Sequence, residues 1–313
     1  MINSVDLVES CSYHEYTKAV DPILAGTISR VPFAEFSSDL YKENKTCTIP
    51  LDISKQLGCE GPATSPSLCA NFVKILAGEC INHKINATSQ VFYIMHGLGR
   101  TEFDGVSVPW KTGDFVALPA VNNLIHFAQQ DSLFYLVHDE PLLHYLGVKA
   151  STKRFKPTLY TSEETLEELR KIKMEGENVN RNRISVILAN KAIDQTLSIT
   201  HTLWTMLGVL PKGAVQLPHR HQSVALDLIL DCQPGCYTLV GTAINSSGGI
   251  INPTRVDWKS NSAFITPPGY WHAHFNESNC DANFIPIQDA GLQNYLRTLD
   301  IKFTLPNATL PTI

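Results

Sequence analysis

Two stretches of this chain consist of short apolar runs cut by glycine and tight-turn residues, and that punctuation restricts the fold more than any other feature. In the first, Gln90-Val91-Phe92-Tyr93-Ile94-Met95 is followed by Gly97 and Gly99, Thr101-Glu102-Phe103, the pair Asp104-Gly105, and Val106-Ser107-Val108-Pro109. A second turn at Gly113-Asp114 leads into Phe115-Val116-Ala117-Leu118, and Phe134-Tyr135-Leu136-Val137 comes later. Asp-Gly between apolar runs is a strong hairpin signal, because both residues tolerate the positive φ of a tight turn. The second stretch carries strand-like runs at 203–210, 225–230, 237–240, 264–266 and 283–287. Short strands at this spacing predict an antiparallel sandwich or barrel.

The two stretches lie on one another without a gap. Gly113-Asp114-Phe115-Val116-Ala117-Leu118-Pro119 matches Asn261-Ser262-Ala263-Phe264-Ile265-Thr266-Pro267, which puts Gly113 and Asn261 at one turn position. Glycine accepts left-handed backbone at no steric cost, and asparagine is among the few others that visit it readily. Carried forward, the register sets Leu124 opposite His272 and His126 opposite His274. Upstream, the first copy offers only His83 and Asn86 near the places of His219 and His221. Two copies of one fold are expected, with a complete site only in the second.

That site is read from spacing. Gln216-Leu217-Pro218-His219-Arg220-His221 is followed some fifty residues later by Tyr270-Trp271-His272-Ala273-His274. On an extended strand the side chains repeat every second residue, so His219 and His221 share a face, with Arg220 on the other. With His272 they form a candidate metal triad. Three neutral imidazoles leave the metal its full charge and several open positions, which suits small-molecule chemistry more than structural support. If the strand stays extended, His274 shares the face of His272. Asp227 has the parity of Ala225 and should look into the barrel. A buried carboxylate without a partner is costly, so Asp227 is expected to meet the metal through water, orient an imidazole or bind a substrate donor, or else to pair with a cation such as Arg255. Gln216, Trp204, Trp271 and Tyr270 are candidate pocket-lining residues.

Composition excludes more than it selects. The chain has 313 residues, 43% of them hydrophobic and 18% charged, with a net charge of -5. That composition is globular and gives no electrostatic case for nucleic acid or an anionic membrane. No apolar run of about twenty residues occurs, and Met1-Ile2-Asn3-Ser4-Val5-Asp6 lacks the basic and apolar regions of a signal peptide. The eight cysteines are scattered and form no C-x-x-C, so free, mostly buried thiols and a cytoplasmic location are expected. The Asn-x-Ser/Thr triplets at Asn44, Asn86, Asn245, Asn276 and Asn307 carry no meaning without a secretory route. A short helix is expected around Val31 to Tyr41. A longer one spans 161–173, with Thr161 and Glu164 as a capping box, acids leading and bases closing.

These residues resemble the cupin superfamily, small β-barrels whose two motifs supply metal ligands. His219-Arg220-His221 with Trp271-His272-Ala273-His274 and Asn276 is similar to the gentisate 1,2-dioxygenase group, two-cupin ring-cleaving enzymes whose relatives act on salicylate and 1-hydroxy-2-naphthoate. That group uses three histidines on ferrous iron without the glutamate of the usual cupin motif, and here Ala225 or Leu226 stands in the glutamate's place. The resemblance implies an all-β fold of two tandem cupin barrels, with a helical N-terminal extension and a helical interdomain connector. The expected division is 1–62 for the extension, 63–150 for a degenerate barrel without metal, 151–195 for the connector and 196–306 for the metal-binding barrel.

The resemblance further implies a non-haem Fe(II) dioxygenase acting with O2 on a small anionic, hydroxylated aromatic substrate, with His274 as an acid/base group, and a homo-oligomer. Two departures stand against it. The group's intact site lies in the N-terminal cupin, and its Ala-Leu-Arg after the histidine pair reads Ala225-Leu226-Asp227 here, where an acid would repel the carboxylate that the arginine helps hold. The rival readings are a cupin isomerase or lyase using Fe, Mn, Ni or Zn on a small polar substrate, with Asp227 as base, and a non-catalytic metal- or small-molecule-binding bicupin.

Overall fold

A computed structural model describes residues 9–175 and 183–304. The expectations for Met1–Asp6 and Asn307, and parts of the extension, the connector and the tail of 196–306, lie outside these residues. Among these described residues twenty-one strands are formed. In chain order they are β1 (Glu35–Phe36), β2 (Cys47–Pro50), β3 (Cys69–Ile75), β4 (Cys80–His83), β5 (Gln90–His96), β6 (Leu98–Phe103), β7 (Val106–Lys111), β8 (Phe115–Leu118), β9 (Leu124–Ala128), β10 (Ser132–His138) and β11 (Thr158–Tyr160). After the helix Ser162–Met174 come β12 (Ile184–Leu188), β13 (Trp204–Leu210), β14 (Val215–Arg220), β15 (Ala225–Asp231), β16 (Cys236–Gly241), β17 (Thr254–Asp257), β18 (Ser262–Thr266), β19 (Trp271–Asn276), β20 (Ala282–Gln288) and β21 (Lys302–Phe303).

They make two barrels of two sheets each. The first has the order β11-β8-β5-β10-β3-β2 opposite β4-β9-β6-β7, and the second β1-β18-β15-β20-β13-β12 opposite β17-β16-β19-β14-β21. The correspondence extends to edge strands. β11, which follows the first barrel, pairs with β8, and β1, from the N-terminal segment, takes the matching place beside β18.

The turn chemistry acts where it was expected. Asp104 and Gly105 both have positive φ and join β6 to β7, while Gly113 (φ 90°) and Asn261 (φ 61°) occupy the equivalent turns before β8 and β18. Around 31–41 the structure differs from expectation. Glu35 and Phe36 are extended against β18, and only Ser38–Tyr41 turns, as a single 3-10 turn capped by Ser37. An open sheet edge offered that segment backbone partners which a short helix could not match.

The two six-stranded sheets face each other across one core containing Phe72, Tyr93, Phe115 and Tyr135 from one side and Leu207, Leu226, Leu228 and Ile285 from the other. Their strands are therefore covered on both faces, which explains near-continuous apolar runs in β5 and β15 instead of clean alternation. Leu226 and Leu228 point into this shared core, so Ala225, Asp227 and Ile229 point into the second barrel. The helix Ser162–Met174, with Thr161 accepting from Glu164 N–H, packs against β12 and β13. All eight cysteines are free, as expected, but only Cys69 and Cys236 are buried, so the expectation of mostly buried thiols fails. Cys47 and Cys232 are partly buried, and Cys11, Cys59, Cys80 and Cys280 are exposed.

Candidate metal centre

Inside the second barrel, β14 and β19 run antiparallel with His219 opposite His272 and Gln216 opposite His274. A register shift between Gln216 and His219 re-aims the end of β14, and His221 follows at once in the loop. One ligand atom from each of His219, His221 and His272 lies within 4.8 Å of the other two, and all three residues are buried. The ring centroids are 4.0 Å apart for His219 and His272 and 4.9 Å for His221 and His272.

Each of the three rings is tied back through the same atom. The Nδ1 groups of His219, His221 and His272 reach the backbone carbonyls of Leu217 (3.2 Å), Ser223 (2.9 Å) and Tyr270 (3.0 Å). A carbonyl only accepts, so Nδ1 carries the proton and Nε2 keeps a lone pair turned inward. The Ser223 hydroxyl, which donates to Gln288 Oε1, also lies 3.0 Å from His221 Nδ1. Backbone-anchored imidazoles of fixed tautomer are the usual support of a metal ligand.

The fit to a cation is sharpest at His221, whose Nε2 is sealed from solvent and has no hydrogen-bond partner among the described residues. An orphaned buried acceptor costs about 1–3 kcal/mol, which a coordinated cation would remove. Burial holds all three rings neutral. It pushes His221 down to about 4 and His219 and His272 well below the ordinary histidine range, with the neighbouring imidazoles and Arg183 adding to the effect. The neutral ring is the form that binds metal.

His274 lies beside this group, its ring centroid 5.7 Å from that of His272. The indole N–H of Trp258 donates to Thr238 Oγ1 (2.8 Å), and that hydroxyl is 2.7 Å from His274 Nδ1. The hydroxyl accepts from the indole and has its own proton to give; donated to Nδ1, that proton would leave the ring proton of His274 on Nε2. Asp227 is buried on β15, accepts from Thr266 Oγ1 at 2.7 Å, and is pushed up to about 6 by burial, against the pull of that bond and of Arg183. Arg255 is not its partner. That side chain lies outside, paired with Asp257 and stacked over Tyr237.

The remaining candidates separate. Gln216 is inside, with Nε2 3.4 Å from His219 Nε2. Tyr270 packs against the barrel's apolar cluster, and its carbonyl orients His272. By strand alternation Trp271 stands on the face away from His272, with the Arg220 guanidinium 5.6 Å from its ring centroid. Trp204, at the start of β13, donates its indole N–H to Leu197 O and pairs in register with Gln288.

Two neighbours of the histidines had not been singled out in the sequence. Phe303 on β21 stacks on His219 with centroids 6.0 Å apart. Arg183, just before β12, brings Nη2 to 3.4 Å from His219 Nε2, Nη1 to 3.0 Å from Met206 Sδ, and its guanidinium over the Phe284 ring. The alternation Ile184-Ser185-Val186 could have marked β12 as a strand, but nothing local says which barrel it joins.

The fold is that of two cupin barrels in tandem, with a three-histidine group suited to a metal ion in the second. The chain is similar in structure to salicylate 1,2-dioxygenase from Pseudoaminobacter salicylatoxidans, seen with gentisate, at a TM-score of 0.72 and 12% identity over 95% of this chain and 92% of that one. A glycine-to-alanine variant of that enzyme in complex with gentisate gives 0.71 and 13% over 95% and 93%. A further structure of the enzyme gives 0.64 and 14% over 85% and 83%. No family model matches the sequence, and no curated protein matches it. At such identities the likeness establishes the fold. Among the described residues, no helix is long and apolar enough to cross a membrane.

Proposed function

We propose that the protein is a non-haem Fe(II) dioxygenase acting on a small anionic, hydroxylated aromatic substrate. The observation that carries the metal is the convergence of three Nε2 lone pairs, each ring locked through Nδ1, with the buried Nε2 of His221 unsatisfied. The shared fold with salicylate 1,2-dioxygenase supports the choice of reaction. His219, His221 and His272 would hold the ion, which when bound supplies Lewis acidity and one-electron chemistry toward O2.

The chain's own residues do the rest. With no carboxylate among its ligands the site keeps a positive field that draws an anion. His274, with its proton on Nε2, is placed to donate to an oxygen of the substrate and to take the proton back. The apolar wall of Ile229, Val240, Phe264 and Phe284 limits access of bulk water. Asp227, facing inward with a proton affinity raised toward neutrality, favours a second reading, a metal-dependent isomerase or lyase in which that carboxylate is the base.

The test is oxygen consumption by protein loaded anaerobically with Fe(II) and offered gentisate, salicylate and related hydroxy acids. Uptake with ring-opened product is expected. Turnover without O2, or equal activity with Mn, Ni or Zn, would instead establish the second reading.

A further inference from the structure

The internal repeat gives the molecule two equivalent clefts at the seam between the barrels. Leu159 on β11 and Glu35 on β1 hold matching places, so counting back aligns 149–154 with 25–30. The starts of β13 and β3 align His201 with Pro66, and the helices Ala290–Leu296 and Glu140–Leu146 align Leu292 and Tyr295 with Leu142 and Tyr145. One cleft, of about 730 Å³, is lined by Lys149, Arg154, Ile193, His201, Leu292 and Tyr295 among others. Its counterpart runs past Gly26, Leu57, Pro66, Leu142 and Tyr145. The framework therefore accounts for a hollow at each place, and the two differ in what fills their walls. Ala25 and Pro66 on one side become Lys149 and His201 on the other. With Arg154 and the single acid Asp194, the second cleft is net positive in a chain of net charge -5. Lys55, Glu60 and Asp289 leave its counterpart net negative. Lys149 and Arg154 are exposed, and neither forms an ion pair among the described residues.

His201 is held in one tautomer. Asp139 accepts from Thr88 N–H, Ser89 N–H, Thr88 Oγ1 and Thr202 Oγ1, which fills the acceptor sites of a carboxylate. The Thr88 hydroxyl gives its one proton to Asp139 and so accepts from His201 Nε2–H at 2.9 Å. Nδ1 keeps its lone pair, and that buried atom has no hydrogen-bond partner among the described residues. Burial, with Arg154 adding to it, brings the ring down to about 4 and keeps it neutral. A stranded acceptor costs about 1–3 kcal/mol, and the proline at the equivalent place has no such cost. Ile193, Leu292 and Tyr295 supply an apolar wall, with Tyr295 61% exposed.

We propose that this cleft is a second small-molecule site, for a small organic acid with an apolar body and a neutral hydrogen-bond donor. The anionic group meets Lys149 and Arg154, the body lies on Ile193, Leu292 and Tyr295, and the donor satisfies His201 Nδ1. An apolar cleft at a seam between barrels, with a few converging polar groups, is a usual setting for such a ligand. The site shares no lining residue with the three-histidine group and needs no metal, so it stands apart from the reading above.

The experiment is a calorimetric titration of the full-length, metal-free protein with para-hydroxyphenylpropionate and with phenylpropionate, which lacks the hydroxyl. Wild type should bind one hydroxylated acid per chain, about fivefold more tightly than the plain one, the size of one net hydrogen bond. Lys149→Ala, which installs the counterpart's residue, and Arg154→Met should each weaken both acids about threefold, and together about tenfold. His201→Leu should erase the preference for the hydroxyl while phenylpropionate still binds. His221→Ala, checked to be folded, should bind both acids as wild type does. Absence of saturable binding to wild type, unchanged binding in the Lys149→Ala, Arg154→Met double variant, or loss of binding in folded His221→Ala overturns the inference. Should His201→Leu not fold, the exposed Lys149 and Arg154 variants still decide the matter.

Discussion

The two barrels share one framework and fill it differently. The registers correspond except for one extra residue in β14, between Gln216 and His219. β4 and β9 place His83 opposite Leu124 and Ile81 opposite His126, as β14 and β19 place His219 opposite His272 and Gln216 opposite His274. β5 and β8 set Gln90 opposite Leu118 and Phe92 opposite Val116. In β15 and β18 the same places hold Ala225 with Thr266 and Asp227 with Phe264. Ile81, Leu124, Phe92 and Leu118 in the first barrel thus become Gln216, His272, Asp227 and Thr266 in the second. These four exchanges swap hydrocarbon for a polar group, while Gln90 to Ala225 runs the other way. The first barrel is closed by a core that includes Trp110, Phe92 and Phe134, while the second keeps a polar centre.

One polar unit survives in both. Trp110 donates to Thr101 (2.9 Å), which lies 2.7 Å from His126 Nδ1, repeating the Trp258–Thr238–His274 chain atom for atom. Its presence in the barrel without the three-histidine group shows that this relay belongs to the framework. Any chemistry of His274 is an addition made by the neighbours of its Nε2.

The sharpest way to break the comparison is at the metal. His221→Ala should lower metal affinity by more than about 100-fold, whereas His83→Ala, at the place of His219 in the first barrel, should leave bound metal unchanged. Elemental analysis after dialysis reads both. Next in size is a forced exchange of fillings. Phe92→Asp puts an acid where no Thr266 or Arg183 stands, and should cost about 3–5 kcal/mol or prevent folding, measured by urea unfolding.

A pH effect of comparable origin follows from the buried first-barrel histidines. Burial brings His83 to about 4 and His138 to about 3, against about 6.5 in the unfolded chain. The unfolded state therefore binds more protons below pH 6.5, so their contribution is complete above that pH and is lost as pH falls toward 4 for His83 and 3 for His138. Buried Asp289, raised to about 6, works in the opposite sense, so the histidine share is isolated by a variant. His138→Gln should flatten the slope of unfolding free energy between pH 6 and 4 by about 1 kcal/mol per unit. The smallest effect tests the shared relay. Thr101→Val and Thr238→Val should each cost about 1–3 kcal/mol by stranding an indole N–H and a ring nitrogen, and similar losses in the two thermal melts are expected.

Much of this was legible in the chain. Strand runs such as Gln90–Met95 and Ala225–Leu230, the Asp104-Gly105 hairpin and the shared turn of Gly113 and Asn261 rest on local backbone preference, which the structure leaves intact. The gap-free alignment carried Leu124 to His272 and His126 to His274 because period-two alternation preserves faces over a whole strand. What the sequence alone determined is therefore the repeated barrel and the three histidines that can share a face.

Tertiary structure decided the rest, through pairings between distant segments that no local pattern encodes. It recruited Glu35–Phe36 to β18 against a helical expectation and brought Arg183 to His219 across 36 residues of sequence. It gave Asp227 to Thr266 and left Arg255 outside. It turned Trp271 away from the cluster, because one strand cannot present adjacent residues to the same face. Spacing chose the three histidines, but the charge that surrounds them was set only when the barrel closed.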